Sequence, residues 1–262
     1  MQNQQESRRT AVVTGSTKGL GRAMALRLAR AGWRVVIHGT DAERAEAVRA
    51  ECGGDAETFL GDIALKETND ALARFAVEKT GRLDAWISNA GLVKMEPFLE
   101  FSPETWRRLV EIHLSGAFYG GQAAAREMVK RGWGRIVHVS TIAAAFGQFG
   151  FAAYAPVKAG VEALARVMAV ELASHGITVN TVAPGPVWND MLEGLYGAER
   201  LRERERTIPL QRMARAEEVA AAVEWLLSDD AAYITGQILR VDGGASAAGP
   251  FTIEVYRRSA PR

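Results

Sequence analysis

The sequence predicts an α/β fold: a single doubly wound domain built on a parallel sheet of seven strands. Three observations carry that expectation. Short apolar runs alternate with helix-like stretches along the 262 residues, and strands spaced by helices imply right-handed crossovers with both sheet faces covered. A glycine-rich turn, Thr14-Gly15-Ser16-Thr17-Lys18-Gly19-Leu20-Gly21, directly follows the first apolar run and precedes a helix. No linker, repeat or low-complexity stretch divides the chain. Residues 1–262 are therefore read as one domain, with 1–9 and 248–262 as terminal extensions.

The elements follow in order. Ala11-Val12-Val13 reads as a buried strand ending in the glycine turn. Leu20 to Ala31 reads as a helix with Arg22, Arg27 and Arg30 outward and Gly32 as its C-cap. Arg34 to His38 is the second strand, and Asp41 opens a helix to Ala50 as an N-cap. Glu57 to Leu60 and Ala85 to Ser88 are strands on either side of a helix from Leu65 to Lys79. A long helical region spans Pro103 to Arg131, and Arg135 to Val139 is the fifth strand. A helix from Tyr154 to Ser174 leads to a sixth strand, Thr178 to Val182. Asn189 to Arg206 is polar and partly helical, Ala216 to Leu227 is a helix, and Gln237 to Val241 is the seventh strand. The tail Phe251 to Tyr256 alternates apolar and polar residues, as a late strand or a subunit contact does.

Bulk composition excludes several classes. A formal net charge of +1 gives no electrostatic case for nucleic acid or an anionic membrane. The one cysteine, Cys52, rules out an internal disulfide and any metal site built on several cysteines. The four histidines show no metal-ligand spacing, so no metal site is expected. Residues 1–9 lack the apolar core of a secretory signal, and no apolar run reaches the ~18 residues of a membrane span. A soluble cytoplasmic protein is the expectation.

Two motifs carry chemistry. Gly15, Gly19 and Gly21 allow positive φ and close approach of backbone to a pyrophosphate, at a helix N-terminus that favours negative charge. Tyr154 and Lys158 lie four residues apart, on one helix face. Reduction of a carbonyl by hydride leaves negative charge on oxygen, which an acid must neutralise. A phenol ionises near ~10, and an adjacent ammonium is expected to lower that value. Together, in this order, the motifs point to nicotinamide-dependent oxidoreduction.

The turn and the Tyr154/Lys158 pair resemble the short-chain dehydrogenase/reductase family, whose domain is a Rossmann fold. The resemblance runs from about Thr10 to Ser246. Ser88-Asn89-Ala90-Gly91, Pro184-Gly185, Ile234-Thr235-Gly236-Gln237 and Val241-Asp242-Gly243-Gly244 also match family segments. It implies that Asp62, followed by Ile63, stands near the adenine, that Asn89, Ala90 and Gly91 pass the adenosine, and that Pro184, Gly185 and Val187 lie beside the nicotinamide. Asn189 takes the place of a threonine that contacts the cofactor amide. Lys158 is implied to bind the nicotinamide ribose. An NAD site usually has an acid at the end of the second strand; the aligned residue is Gly39, and Asp41 lies two places later. Lys18 stands where NADP-dependent relatives often carry a basic residue, while Thr40 lacks the arginine that others have. NADP(H) is favoured, with NAD(H) as the other possibility.

Two departures stand out. The family's substrate-orienting serine falls at Thr141, thirteen residues before Tyr154, with Ser140 as the alternative if the loop is shifted. Its relay asparagine is His113, which either keeps a water relay and makes the rate pH-sensitive or simply packs. The substrate walls, Val93 to Leu99, Ala143 to Phe151 and Trp188 to Tyr196, include Phe146, Phe149, Phe151, Trp188, Leu192 and Tyr196, which suits an apolar, aromatic-tolerant site. Within the family the chain most resembles β-ketoacyl-acyl carrier protein reductases. Gly132 and His175 stand where those reductases often carry arginine, which weakens a carrier-protein substrate, and Arg131 is positioned to compensate. A small ketone or secondary alcohol is preferred; a turnover-impaired regulator and an NAD-linked sugar or polyol dehydrogenase are the alternatives. The family resemblance also implies a homotetramer.

Overall fold

The computed structural model describes residues 8–188, 199 and 201–248. Seven strands form one sheet in the order β3-β2-β1-β4-β5-β6-β7. They are β1 Thr10–Val13, β2 Arg34–Gly39, β3 Glu57–Leu60, β4 Ala85–Ser88, β5 Gly134–Val139, β6 Ile177–Pro184 and β7 Ile238–Val241. Every neighbouring pair is parallel. From β1 the order runs one way to β3 and the other way through β4, so a crevice opens between the carboxyl ends of β1 and β4.

Strand alternation divides the core in two. Val13, Ile37, Ile87 and Val137 pack against α1 Gly19–Arg30, α2 Ala42–Cys52 and α7 Ala216–Leu227. Val12, Val36, Trp86 and Ile136 face the other way, against α3 Lys66–Thr80, α5 Gly116–Val129 and α6 Tyr154–Leu172. β1, β5 and β6 are buried along their whole length, as central strands covered on both faces are, with Arg135, His138 and Asn180 among their buried polar residues.

Most expected elements are present, with informative differences. Asp41 caps α2 by accepting the Arg44 N–H at 3.0 Å. Ala31 is the C-cap of α1, and Gly32 follows it with φ +90. β6 extends to Pro184 because the final residues still pair with β7. The long helical region expected from Pro103 to Arg131 is α4 Pro103–Leu109, a π-helical turn Val110–Ser115 and then α5. Single π turns collect at functional sites, and this one carries His113. Of the stretch Asn189 to Arg206, residues 189–198 and 200 lie outside the described residues, with Asn189, Leu192 and Tyr196 among them; so does the tail Phe251 to Tyr256. Among the described residues, no helix is long and apolar enough to cross a membrane, and no group of side chains is arranged to hold a metal ion.

Candidate active site

The glycine turn sits at the β1–β4 crevice. Gly15 has φ +63, and a Cβ there would stand 2.6 Å from Ala90 Cα. Gly21 faces the Gly15 carbonyl, where a Cβ would come within 2.2 Å of the oxygen. Turn and loop therefore close only without side chains. Asn89 ties them by donating from Nδ2 to the Thr14 carbonyl at 2.9 Å and the Gly15 carbonyl at 3.1 Å. Thr14 Oγ1 in turn accepts the N–H groups of Asn89 and Ala90.

The residues expected at the cofactor take distinct places. Ser16 points inward: its hydroxyl donates to the Val13 carbonyl at 2.7 Å and accepts the His38 N–H at 3.0 Å. Its backbone N–H is committed too, donating to the His38 carbonyl at 2.9 Å. Thr17 packs against Gly39, where a Cβ would come within 2.5 Å of the Thr17 methyl. Lys18 is the exposed N-cap of α1, and its side chain makes no capping bond. The first-turn N–H groups at Gly19, Leu20 and Gly21 have no acceptor within the helix. Free N–H groups, a helix dipole and an exposed ammonium together fit a pyrophosphate-containing dinucleotide. Thr40 is exposed just past β2, and Ile63 is buried. Asp62 accepts the Ala64 N–H at 3.0 Å and pairs with Arg108 at 2.8 Å.

Thr141, Tyr154, Lys158 and His113 converge on one cleft of ≈ 290 Å³, reached from the nucleotide end by Leu20, Asn89 and Gly91 and bordered by Pro184, Gly185 and Val187. Three elements bring them there: the carboxyl end of β5, the first turns of α6, and the π turn. Thr141 starts a short 3-10 turn, Ile142–Ala145, by accepting the Ala143 N–H at 3.3 Å. Ser140, the alternative to Thr141, is committed elsewhere. It is buried and donates to Glu162 Oε1 at 2.8 Å.

Lys158 is buried and donates from Nζ to the Val139 carbonyl at 2.7 Å. Burial pulls its pKa down to about 8. Its ammonium lies 5.8 Å from the Tyr154 ring centroid. The expectation that Lys158 draws the phenol's pKa down is not met in this arrangement. Burial dominates and pushes Tyr154 up to about 12, because a phenolate there would lose its hydration while the ammonium is turned toward Val139.

His113 is 4% exposed and meets Tyr154 edge-on, with ring centroids 5.4 Å apart. Burial, with the Lys158 charge second, lowers its pKa to about 3. The ring is neutral at every ordinary pH, so the expected pH sensitivity through its own titration does not arise. Its Nε2 lies 2.8 Å from the Leu92 carbonyl. In a neutral ring that contact places the proton on Nε2 and leaves Nδ1 an acceptor, and Nδ1 is buried without a partner. A Cβ on Gly91 would fall 2.2 Å from His113 Cε1, so residue 91 is a glycine to admit the ring.

Three contributors escaped the sequence reading. His38 braces the turn, with Nδ1 accepting the Gly15 N–H at 3.3 Å. Burial holds its pKa at about 4, which keeps that acceptor free of a proton. Its place at the end of β2, next to Gly39, was the available signal. Glu162 holds Ser140 and Arg108 holds Asp62; neither has a motif.

Comparison with known proteins agrees with this geometry. The family model described as Enoyl-(Acyl carrier protein) reductase matches residues 15–246. A 3-oxoacyl-[acyl-carrier-protein] reductase of Synechocystis is 38% identical over 239 residues, covering 89% of this chain and 95% of that one. A 3beta-hydroxysteroid dehydrogenase of Eggerthella lenta is 40% identical over 242 residues, covering 90% and 93%. The solved structure of acetoin dehydrogenase from Enterobacter cloacae superposes with a TM-score of 0.84 at 34% identity, covering 92% of this chain and 97% of that one. The chain belongs to the short-chain dehydrogenase/reductase family. It is an oxidoreductase of that family, acting between CH–OH and C=O.

Proposed function

We propose that this oxidoreductase reduces a small free ketone to a secondary alcohol with NADP(H). The observation that carries the reading is the half-buried Tyr154 beside Lys158 and Thr141 in a cleft continuous with the glycine turn. When bound, the nicotinamide supplies the hydride. The dinucleotide would pass close to the backbone of Gly15, Ser16 and Thr17 and would be held by the α1 N-terminus at Gly19, Leu20 and Gly21, with Asn89, Ala90 and Gly91 beside it. Pro184, Gly185, Val187 and Asn189 serve its nicotinamide end, and Thr40, Asp62 and Ile63 its adenosine end. Lys18 faces the additional phosphate of NADP, and Gly39 offers no carboxylate to repel it.

Thr141 Oγ1 donates a hydrogen bond to the substrate oxygen, and Tyr154 Oη gives that oxygen its proton as negative charge develops. A phenol pushed up to about 12 is protonated at neutral pH. It is therefore available as the donor, and because carbonyl reduction consumes a proton, lowering the pH favours reduction. Alcohol oxidation gains as pH rises. Lys158, held near 8 by burial, carries the local positive charge that offsets the tyrosinate left after transfer and binds the nicotinamide ribose. His113 contributes through Nδ1. A cavity of ≈ 10 Å³ lies between His113 and Lys158, at the lower limit of the roughly 10–15 Å³ that one water needs. A water there would donate to Nδ1 and accept from Lys158, giving the otherwise unpartnered Nδ1 its hydrogen bond. A homotetramer built through α5 and α6 completes the reading; the exposed Phe118, Val167 and Val170 on those helices support it.

The test is titration with NADPH and NADH followed by turnover of a ketone panel. Tighter NADPH binding with ketone-dependent oxidation is expected. Tight binding with no turnover in either direction contradicts the reductase reading and favours a nucleotide-binding regulator.

A further inference from the structure

The cleft wall beyond Gly91 is held at both ends and carries no net charge. At its start the Leu92 carbonyl is fixed by His113 Nε2 at 2.8 Å, and Leu92 and Val93 line the cleft. At its far end Glu96 forms a parallel bridge with Phe151 and donates its N–H to the Gly150 carbonyl at 3.1 Å. Phe151 packs edge-on to Tyr154, centroids 5.3 Å apart. The two wall loops are therefore stitched to each other and to the catalytic ring. Between the anchors the wall presents Leu92, Val93 and Met95, all exposed, and the facing loop presents Phe146 and Phe149, the last 82% exposed. Apolar surface of this kind, continuous with a catalytic cleft, marks where a ligand is covered. The single cation of this wall, Lys94, is paired with Glu96 at 3.2 Å.

The geometry points to an uncharged ketone with an apolar, ring-sized body as the substrate class, with Glu96, by holding Lys94, as the residue that denies carboxylated analogues a cation. This inference rests on the reductase reading for its carbonyl chemistry. A keto acid or a phosphorylated sugar brings an anion to the wall and finds Lys94 already neutralised by Glu96. An uncharged body loses nothing there and covers Leu92 and Val93. A stitched wall is also preorganised, so covering it costs little ordering of the loop.

The test compares 2-acetylnaphthalene with 6-acetyl-2-naphthoate, which differ by one carboxylate. Affinity for the protein saturated with NADP is measured by calorimetry, and turnover with NADPH is measured separately. The wild type is expected to bind the uncharged ketone about tenfold more tightly, a difference of about 1.4 kcal/mol. Glu96→Gln frees Lys94 and keeps the backbone bridge. It should narrow that ratio severalfold by improving the carboxylate alone. Val93→Asp should raise KM for 2-acetylnaphthalene about tenfold, with kcat changed much less, because it alters the wall and not the reacting groups. Equal or better binding of the carboxylate by the wild type overturns the inference, as does an unchanged ratio in Glu96→Gln. If the uncharged ketone binds tighter and neither compound turns over in either direction, the substrate class stands and the reductase reading fails. If both turn over equally well, the reverse holds.

Discussion

The two ends of the same sheet treat buried charge in opposite ways. At the amino end, Asp84 is 1% exposed and accepts the Thr10 N–H and both Arg82 Nε and Nη2, each at 2.7 Å. Arg9 bonds both Asp229 oxygens and lies 4.3 Å from the Trp133 ring centroid, on which Arg135 also stacks at 4.3 Å. At the carboxyl end, Lys158 has a carbonyl as its hydrogen-bond partner and His113 Nδ1 has none. Tyr154, half-buried, lies beside both. Partnered charge at one end, with the buried Arg135 Nε as an exception, holds the strands together. Under-partnered groups at the other are an energetic cost that only a bound substrate and cofactor make useful, which is why ligands of open α/β sheets gather there.

Breaking the partnered end should have the largest effect on stability. Asp84→Ala strands the Thr10 N–H and removes a carboxylate from Arg82, and should cost about 3–5 kcal/mol by chemical denaturation. The kcat of the remaining folded enzyme should stay near wild type. A loss below about 1 kcal/mol would erase the contrast. Gly91→Ala comes next. Its Cβ meets His113 Cε1 at 2.2 Å, and the overpacking should cost about 1–3 kcal/mol. Pairing it with His113→Ala should recover most of that loss, and purely additive costs would show that the ring is not what glycine accommodates.

Lowering the pH sharpens the comparison. His38 and His138 are held at about 4 and His113 at about 3, all by burial, below the usual 6.5. The unfolded chain then binds protons that the folded chain refuses, so stability is full above 6.5 and falls as pH drops toward 4. A melting temperature flat across that window would contradict the neutral, acceptor roles given to His38 and His113. The smallest expected effect is the most diagnostic of function. Lys158→Met removes a desolvated cation and should shift stability by less than about 1 kcal/mol, in either direction, while abolishing most turnover.

Local grammar explains what the sequence made legible. β3, β4 and α7 begin and end where their apolar patterns and flanking turns place them, and Asp41 caps α2 as an aspartate before a helix should. The Tyr154/Lys158 spacing located the cleft because four residues on a helix always share a face. The π turn was not legible, since an i→i+5 bond leaves no compositional mark. Nor was the direction of the Tyr154 shift, which depends on burial and on Lys158 turning to Val139. His38 shows the same limit. Its role requires knowing that β2 ends beside Gly15, a fact of tertiary pairing.

The most direct measurement is NADPH binding and steady-state ketone reduction in the wild type and in Tyr154→Phe, side by side. The phenylalanine keeps the ring packing against His113 and Phe151 and removes only the proton donor. The account predicts NADPH affinity within about twofold and turnover lowered by about 10²–10⁴. Turnover that survives the loss of the hydroxyl would contradict it, and would move the proton donor away from Tyr154.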